Sequence, residues 1–269
     1  MSRDVLAEQV ADSRERVEAA LAREPLDLVR ARAADVVRPP SFHAALSGPG
    51  VSIIAEIKRG SPSRGPLATD LDPVATARAY AAGGAAAVSV LTAPLGFGGS
   101  LAALAAVAAT GIPTLRKDFL IDPYQVWEAR AAGASAVLLL AVVLDDDELR
   151  EMLDVVAEAG LDALVEVHDE AEMDRAAALA PAIVGVNVRD LRDFSVENDR
   201  FGAVAQRRPS GALLVAESGV HGPADVAAYA ASGADAVLVG EHLVTSSDPT
   251  EATRALVEAG ASSVGGGAA

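Results

Sequence analysis

The chain has 269 residues, a formal net charge of −16 and no cysteine. The lack of cysteine excludes disulfides, a thiol nucleophile and cysteine-ligated zinc or iron–sulfur sites, and the negative charge makes nucleic acid and anionic membrane poor partners. No apolar run reaches the roughly 18 residues of a membrane-spanning helix, and the N-terminus has no apolar signal core, so we expect a cytoplasmic protein.

Residues 1–47 precede the first strand-like run. Apolar residues recur there at helical spacing: Val5, Val10, Val17, Leu21, Leu26, Leu28 and Val29. This spacing predicts one or two helices with an apolar stripe. We expect an N-terminal helical extension packed on the following domain, not a second domain.

Eight short apolar runs follow. They are Val51–Ile57, Ala86–Thr92, Ile112–Leu115, Ala136–Val142, Ala163–Val167, Ile183–Val188, Leu213–Ala216 and Ala236–Val239. Runs of this length are typical of strands buried on both faces. Between them lie stretches with helical spacing, and three of these begin with a start signal, at Asp72-Pro73, Asp122-Pro123 and Pro223.

A repeated unit links the runs, in which a helix ends at glycine and a buried strand begins after a tight turn. Repetition of this unit predicts parallel strands joined by helices, and eight units indicate a single α/β domain of the (β/α)₈ TIM-barrel class over residues 48–259. A doubly wound open sheet is the rival, but no G-x-G-x-x-G follows the first run. The end, residues 260–269, is rich in Gly, Ser and Ala and is expected to be a flexible tail.

Charged or amide side chains stand where the apolar runs end. The carboxyl ends of the strands form the active site in barrels of this class. Of the 22 basic residues only two are lysines, Lys58 and Lys117, and both stand at such ends. Because Arg stays protonated whereas a desolvated Lys can release its proton, both lysines are candidates for proton transfer.

Two glutamates are candidates to act together with these lysines. Glu56 and Lys58 are two residues apart on one strand and share a face, which in a barrel is the lumen. Glu166 stands within an apolar run, where a carboxylate is rarely buried without a partner. Structural alternatives are an exposed ion pair for Glu56 and Lys58, a solvated loop position for Lys117, and a core ion pair for Glu166.

Glycines follow the last two runs, at Gly219 and Gly240. The loops after strands 7 and 8 of such barrels hold phosphate through backbone N–H groups, and glycine lets the backbone approach the oxygens. Simple turn geometry is the alternative for both. The loop 59–65 carries two cations and two hydroxyls and predicts a flap over an anionic ligand.

The four histidines are His43, His168, His221 and His242. They lack metal-ligand spacing, and we expect each to be a surface or hydrogen-bonding residue, with no metal and no cofactor. The residues thus indicate a barrel enzyme that acts on a phosphorylated small molecule by acid–base chemistry of Lys and Glu.

Six stretches at the ends of the runs form a more specific pattern. They are Ile54–Ser63, Leu115–Phe119, Leu164–His168, Gly185–Leu191, Val215–Gly219 and Val237–Gly240. Together they resemble the indole-3-glycerol phosphate synthase family, barrel enzymes of tryptophan biosynthesis. The resemblance covers residues 30–258, and the motifs of the first, third and seventh strands are specific only in combination.

The resemblance implies a carboxy-lyase that closes the indole ring of 1-(2-carboxyphenylamino)-1-deoxyribulose 5-phosphate, with loss of CO₂ and water, to give indole-3-glycerol phosphate. Lys117 matches the general acid that protonates the ribulose carbonyl oxygen, and Glu166 matches the general base of the later dehydration. Lys58 matches the lysine that holds the anthranilate carboxylate and is also a candidate second acid.

Other positions match by the same resemblance. Glu56 and Asn187 match residues that position the lysines and the sugar hydroxyls, and Glu217 and Ser218 match a second layer at the ribulose. The matches around the aromatic ring are Phe97, Phe119, Leu138, Leu191 and the neighbouring Arg189. The matches at the phosphate are Ser61, Gly219, Gly240 and Glu241.

The chain departs from the family pattern at three places. Ala93 stands where members often carry an acidic residue, His242 follows Glu241 where a small residue is usual, and the segment 92–97 is unusual. Because a carboxylate repels phosphate, we expect Glu241 to contribute only its backbone N–H. These departures bear on substrate affinity more than on reaction type.

Two other functions stay open at this point. One is a related phosphosugar barrel such as phosphoribosylanthranilate isomerase, which usually relies on a Cys or an Asp pair, and this chain has no Cys. The other is a non-catalytic paralogue, which would be expected to lack Lys58, Lys117 or Glu166. We expect a small phosphorylated substrate as partner, no nucleic acid or membrane, and a monomer or weak homo-oligomer.

Overall fold

The computed structural model describes residues 4–62, 64–190 and 200–262. The strands are β1 Ser52–Ile57, β2 Gly60–Ser61, β3 Gly65–Pro66, β4 Ala87–Leu91, β5 Thr114–Lys117, β6 Ala136–Leu140, β7 Asp162–Val167, β8 Ile183–Asn187, β9 Leu213–Glu217 and β10 Ala236–Val239. The helices are α1 Val5–Arg23, α2 Leu26–Asp35, α3 Phe42–Leu46, α4 Pro73–Ala82, α5 Leu101–Ala108, α6 Pro123–Ala131, α7 Asp146–Ala159, α8 Glu170–Ala178, α9 Arg200–Ala205, α10 Pro223–Ala231, α11 Glu241–Val244 and α12 Pro249–Ser262.

Eight of these strands close into a parallel barrel. The order around it is β1-β10-β9-β8-β7-β6-β5-β4, and β1 pairs with both β10 and β4. The short strands β2 and β3 form a separate antiparallel pair. The predicted (β/α)₈ barrel is confirmed, and each predicted strand is present with bounds within two residues.

Side chains along each strand alternate between two cores, because successive residues point to opposite faces. In β1, Ile54 packs in the lumen, whereas Ile53 and Ala55 pack against the surrounding helices. At the amino end of the barrel, Phe42 and Leu46 of α3 are buried against the lumen side chains. The lumen is therefore closed below, and its open end lies at the carboxyl ends of the strands.

The predicted helix boundaries have the expected local chemistry. The side chain of Asp72 accepts hydrogen bonds from the backbone N–H groups of Val74 and Ala75 at the start of α4, and Asp122 accepts one from Tyr124 at the start of α6. Helix α7 ends at Gly160, whose φ of 69° lies in the left-handed region that favours glycine.

The N-terminal segment forms three helices where one or two were expected. The predicted apolar stripe is wrong at two positions, since Leu21 and Leu28 are 38% and 58% exposed. The buried face of α1 instead includes Gln9 and Ser13, whose side chains donate to the backbone oxygens of Leu95 and Phe119. Apolar side chains cannot form hydrogen bonds with loop carbonyls, so the first half of this face is polar, whereas Val17 and Ala20 continue it as an apolar face.

The last helix extends beyond the boundary expected from composition. Residues 260–262, which were expected to begin a flexible tail, continue α12. Gly260 lies close against β1, and its carbonyl accepts a hydrogen bond from the backbone N–H of Val51. A side chain at Gly260 would collide with the Val51 carbonyl, so the glycine permits this contact. Residues 263–269 lie outside the described residues.

Candidate active site

The predicted site residues meet in one cavity at the carboxyl end of the barrel. The members of the predicted set that line it are Glu56, Lys58, Ser61, Phe97, Lys117, Phe119, Leu138, Glu166, Asn187, Arg189, Glu217, Ser218, Gly219, Gly240 and Glu241. Leu191, the remaining member, lies outside the described residues. The cavity thus gathers side chains that are far apart in sequence, because closure of the barrel brings the strand ends together.

The Lys117 ammonium lies between two buried carboxylates. Its Nζ is 3.1 Å from Glu166 Oε2 and 2.8 Å from Glu217 Oε2. The three side chains come from the lumen faces of β5, β7 and β9. Lys117 is therefore not a solvated loop residue, and it forms the centre of a compact charge cluster.

Burial and charge act in opposite directions on these three groups. Burial lowers the pKa of Lys117, but the carboxylates of Glu166, Glu217 and Glu56 outweigh it and hold the pKa above its ordinary value. Burial raises the pKa of Glu166, but Lys117 above all holds it well below its ordinary value. Burial and the charge of Glu166 raise the pKa of Glu217, against the opposing effect of Lys117. The site therefore keeps Lys117 and Glu166 charged, and Glu217 is the carboxyl that takes up a proton more readily.

A second lysine forms its own ion pair beside this cluster. Lys58 Nζ lies 3.0 Å from Glu56 Oε1, and the two side chains are 18% and 5% exposed. The pair is thus largely buried, unlike the exposed ion pair that was the structural alternative. Both lysine side chains line the same cavity, so two ammonium groups are available to one ligand.

Asn187 connects Glu166 to the end of β9. Its Nδ2 donates to Glu166 Oε1 over 2.8 Å, and its Oδ1 accepts from Ser218 Oγ and from the backbone N–H of Arg189. Ser218 has a φ of 71°, a left-handed conformation that costs energy for a residue other than glycine. This conformation aims the Ser218 hydroxyl at Asn187 and so helps to orient the Glu166 carboxylate.

One side of the cavity is apolar. The rings of Phe97 and Phe119 lie 6.3 Å apart between centroids with an interplanar angle of 43°. Leu138 and Leu140 of β6 add aliphatic surface from the lumen. An aromatic ligand can bury its faces here while its polar groups contact the charged side.

The predicted phosphate positions Gly219, Gly240 and Glu241 follow β9 and β10, which lie across the barrel from β5 and β6. Gly219 has a φ of 71°, a conformation suited to glycine. The side chain of Glu241 forms an ion pair with Arg64, with 2.9 Å between Oε1 and Nη2. Sequence reasoning missed this pair, which offsets the negative charge that was expected to repel phosphate.

Gly185 leaves room for the Glu217 carboxyl. A Cβ at position 185 would overlap Glu217 Oε1 and approach Leu164 Cδ1 to 3.3 Å. We expect Gly185→Ala to push Glu217 away from Lys117 and to lower kcat by about tenfold. The free energy of unfolding should also fall, by about 1–3 kcal/mol, because the added methyl overpacks the lumen. Steady-state kinetics and thermal melting measure the two effects.

Gly202 supplies the control for this substitution, because a Cβ there would have nothing within 4 Å. Gly202→Ala should leave kcat unchanged. A kcat for Gly185→Ala equal to that of the wild type would show that the Glu217 contact with Lys117 is dispensable.

A buried network behind β5 was also missed. Arg116 is fully buried and pairs with Asp118 over 3.2 Å and with Glu128 of α6 over 3.0 Å. Arg16 of α1 forms two hydrogen bonds with the same Asp118 carboxylate, which also accepts one from Thr92. Burial raises the pKa of Asp118, but Arg116 and Arg16 outweigh it and lower the pKa. The network holds the strand that carries Lys117.

His168 is the other residue whose placement the pattern did not reveal. It is buried, with Nδ1 3.1 Å from Glu172 Oε2 and Nε2 3.4 Å from Glu166 Oε1. The expectation of a hydrogen-bonding histidine fits this position. The available signal was its spacing of two residues from Glu166, which predicts a shared face along an extended chain.

The described residues contain neither a cluster of metal ligands nor a membrane-spanning helix. No group of three or more His, Cys, Asp or Glu side chains among them is arranged to hold a metal ion. None of their helices is long and apolar enough to cross a membrane.

Solved structures of other proteins share the barrel fold. The chain is 16% identical to a 3-hexulose-6-phosphate synthase structure, with a TM-score of 0.64 over 78% of this chain and 99% of that one. It is 16% identical to orotidine 5′-phosphate decarboxylase from Pyrococcus horikoshii, with a TM-score of 0.59 over 77% of this chain and 98% of that one. Likeness at this identity shows the barrel fold alone.

Sequence relatives are far more similar. An indole-3-glycerol phosphate synthase of Nocardioides sp. is 55% identical over 84% of this chain and 87% of its own length. One of Rhodococcus jostii is 50% identical over 88% of this chain and 89% of its own length. The family model described as indole-3-glycerol phosphate synthase matches residues 6–256. With such a match over nearly the whole chain, around a cavity lined by the residues of its motifs, the chain belongs to the indole-3-glycerol phosphate synthase family.

Proposed function

We propose that this protein closes the indole ring of 1-(2-carboxyphenylamino)-1-deoxyribulose 5-phosphate, with loss of CO₂ and water, to form indole-3-glycerol phosphate. The observation that carries the proposal is the Lys117 ammonium held between Glu166 and Glu217 at the open end of the barrel. The names of the relatives and the family membership support the same reaction.

Lys117 is the general acid of ring closure. As the aryl carbon attacks the ribulose carbonyl carbon, negative charge develops on the carbonyl oxygen, and an ammonium beside it stabilises this charge and donates a proton. The attack makes the aryl carbon tetrahedral and interrupts the aromatic ring. Loss of CO₂ then restores the aromatic ring without a metal or an electron-accepting cofactor.

Glu166 is the base of the dehydration that follows. Loss of the hydroxyl needs an acid, and removal of the proton from the neighbouring carbon needs a base. Lys117 holds the pKa of Glu166 below its ordinary value. Once Lys117 has given up its proton, that positive charge is gone and Glu166 becomes a stronger base. The first proton transfer thus prepares the second.

Lys58 binds the carboxylate of the anthranilate part and is a second candidate acid. Glu56 holds it over 3.0 Å. The apolar wall of Phe97, Phe119 and Leu138 takes the aromatic ring, with Arg189 beside it. The ring and its carboxylate are then fixed near Lys117, so that the aryl carbon faces the carbonyl group.

The phosphate binds across the barrel from the apolar wall and beside Lys58, through Ser61 and the backbone N–H groups of Gly219, Gly240 and Glu241. Arg64 offsets the Glu241 carboxylate, which makes an anion at this place less unfavourable. A phosphate held here and a ring held by the apolar wall span the cavity and place the ribulose carbonyl between them.

Gly240→Ala tests the phosphate side. A Cβ at Gly240 would overlap Glu56 Oε1 and lie 2.9 Å from Lys58 Nζ, although the φ of −117° at this position is open to alanine. Because the added methyl must displace either the backbone at Gly240 or the Lys58–Glu56 pair beside it, we expect the Michaelis constant for the substrate to rise by about tenfold, since one lost charge-assisted contact is worth about 1.4 kcal/mol or more. A parallel rise in the inhibition constant of inorganic phosphate would assign the loss to the phosphate.

Gly48→Ala is the control, because a Cβ at Gly48 has nothing within 4 Å, and it should leave both constants unchanged. If Gly240→Ala raised the Michaelis constant without changing the inhibition by phosphate, the substitution would act through Lys58 and the anthranilate carboxylate, and phosphate binding at Gly240 would be contradicted.

The function itself is tested by mixing the purified protein with the substrate and following indole absorbance. We expect turnover at a typical enzymatic rate of about 1–10³ per second, with one CO₂ released per indole formed. A folded protein without turnover would overturn the proposal. Supplying phosphoribosylanthranilate in a parallel reaction distinguishes an isomerase.

Two further properties belong to the proposal. A small phosphorylated molecule is the partner of the site, and the net charge of −16 disfavours nucleic acid. We also propose a cytoplasmic monomer or weak homo-oligomer. Light scattering of the purified protein over a range of concentrations measures the oligomeric state.

A further inference from the structure

His168 stands directly behind the proposed base. It follows β7 two residues after Glu166, and its Nε2 lies 3.4 Å from Glu166 Oε1. The side chain is buried, with the residue 7% exposed. Among the described residues that line the cavity, His168 is absent, so it reaches a substrate only through Glu166.

The other side of the imidazole is held by Glu172 of α8. Glu172 Oε2 lies 3.1 Å from His168 Nδ1 and also accepts the backbone N–H of His168 over 2.8 Å. The backbone N–H of Glu172 in turn donates to Asp169 at the start of the helix. The ring is thus held at Nδ1 by the carboxylate that faces the helix layer, and its Nε2 lies at ion-pair distance, 3.4 Å, from the carboxylate that faces the cavity.

The charge of the imidazole follows from these two carboxylates. Burial lowers the pKa of His168, but its contacts with Glu166 and Glu172 outweigh that effect and raise the pKa to about 10. The ring is therefore an imidazolium at neutral pH, and both of its nitrogens are donors.

This cation complements Lys117 on the same carboxylate. Lys117 contacts Glu166 Oε2, whereas Asn187 and His168 both lie at Oε1. In the proposed mechanism Lys117 loses its charge at ring closure. His168 does not contact the substrate and keeps its charge, so it continues to hold the carboxylate in place during the dehydration.

We propose that His168 is a positioning residue which, held by Glu172, orients the Glu166 carboxylate and keeps it ionised for proton removal. The inference rests on the proposed function, since it assigns His168 to the base of that reaction. It resembles the way in which a third group orients an acid–base pair in other enzymes.

His168→Leu removes the contact and the charge. We expect kcat to fall by about ten- to a hundredfold, because small errors in the placement of a reacting group carry losses of this order, while the Michaelis constant stays within about twofold since no substrate contact is lost. His168→Gln, whose amide can still donate to Glu166, should recover part of the kcat.

The pH profile separates positioning from a purely structural role. The charged groups that face Glu166 are Lys117 of β5, Glu217 of β9 and His168, and Glu172 faces His168 from α8. Removal of the imidazolium takes away one cause of the low pKa of Glu166, so the acidic limb of the kcat profile should move to higher pH in His168→Leu. A residue that serves only the fold would leave this limb in place.

Glu172→Gln provides a variant with no change at the cavity. It removes the charge that stabilises the imidazolium, and we expect an intermediate loss of kcat with a shift of the acidic limb in the same direction. Glu170→Gln, on the same first turn of α8 and exposed, is the matched control and should behave as wild type.

The outcomes distinguish the inference from the proposed function. If the wild type forms no indole, the proposed function is wrong, whatever the variants do. If the wild type is active and His168→Leu keeps its kcat and pH profile, the inference is wrong. A lower melting temperature with an unmoved acidic limb and no recovery in His168→Gln would also overturn it.

Discussion

Lys117→Met is expected to lower kcat for indole formation by about 10²–10⁴-fold, the usual contribution of a general acid or base. The lost group is the ammonium that lies within 3.1 Å of both Glu166 and Glu217. Without it, ring closure leaves the charge on the carbonyl oxygen without a proton donor. CO₂ release and indole absorbance should both fall, because ring closure precedes each of them.

The variant should still fold. Two buried carboxylates without a cation between them cannot both stay ionised, and the pKa of Glu217 is already raised by burial and by Glu166. We therefore expect one of the two carboxyl groups to be protonated near neutral pH in Lys117→Met. Circular dichroism and thermal melting check the fold.

Lys117→Arg separates charge from proton transfer. Arg keeps the positive charge between the carboxylates but does not release its proton at physiological pH. We expect a folded protein with kcat close to that of Lys117→Met. Activity near the wild-type level in Lys117→Arg would mean that charge alone suffices and that another group supplies the proton.

The barrel fold was predictable from the sequence, and so was the placement of the site side chains in the lumen. Both depend on local patterns. Strands buried on both faces give short apolar runs, and the two-residue period of a strand places Glu56 and Lys58 on one face. A charged residue that interrupts such a run, as Glu166 does, must find a partner in the lumen. These features need no knowledge of distant contacts.

The partners were not predictable in the same way. The Lys117 contact with Glu217 joins residues that are 100 positions apart, and either lysine satisfied the pattern equally well. The pair of Arg64 with Glu241 depends on where the loop after β1 lies over the last strand. Ser13 is buried because it meets the carbonyl of Phe119, and no periodicity in α1 records the position of that carbonyl.

Glu166→Gln is expected to lower kcat for indole formation by about 10²–10⁴-fold, like the loss of any general base, but through a different step. The amide keeps the size of the side chain and can still contact Asn187, yet it cannot accept the proton released in the dehydration. Lys117 retains Glu217 as a partner at 2.8 Å, so the acid of ring closure stays in place.

The two products therefore report on the two steps. In a single turnover of Glu166→Gln, CO₂ release should approach one equivalent per site while indole absorbance lags behind it, because the decarboxylated ring accumulates before water is lost. Glu151→Gln, an exposed substitution of the same type on α7, should release both together at the wild-type rate. If CO₂ and indole fell in parallel in Glu166→Gln, Glu166 would act at or before ring closure. The assignment of Lys117 on β5 as the acid and Glu166 on β7 as the base would then have to be reversed, or both residues would have to act in both steps.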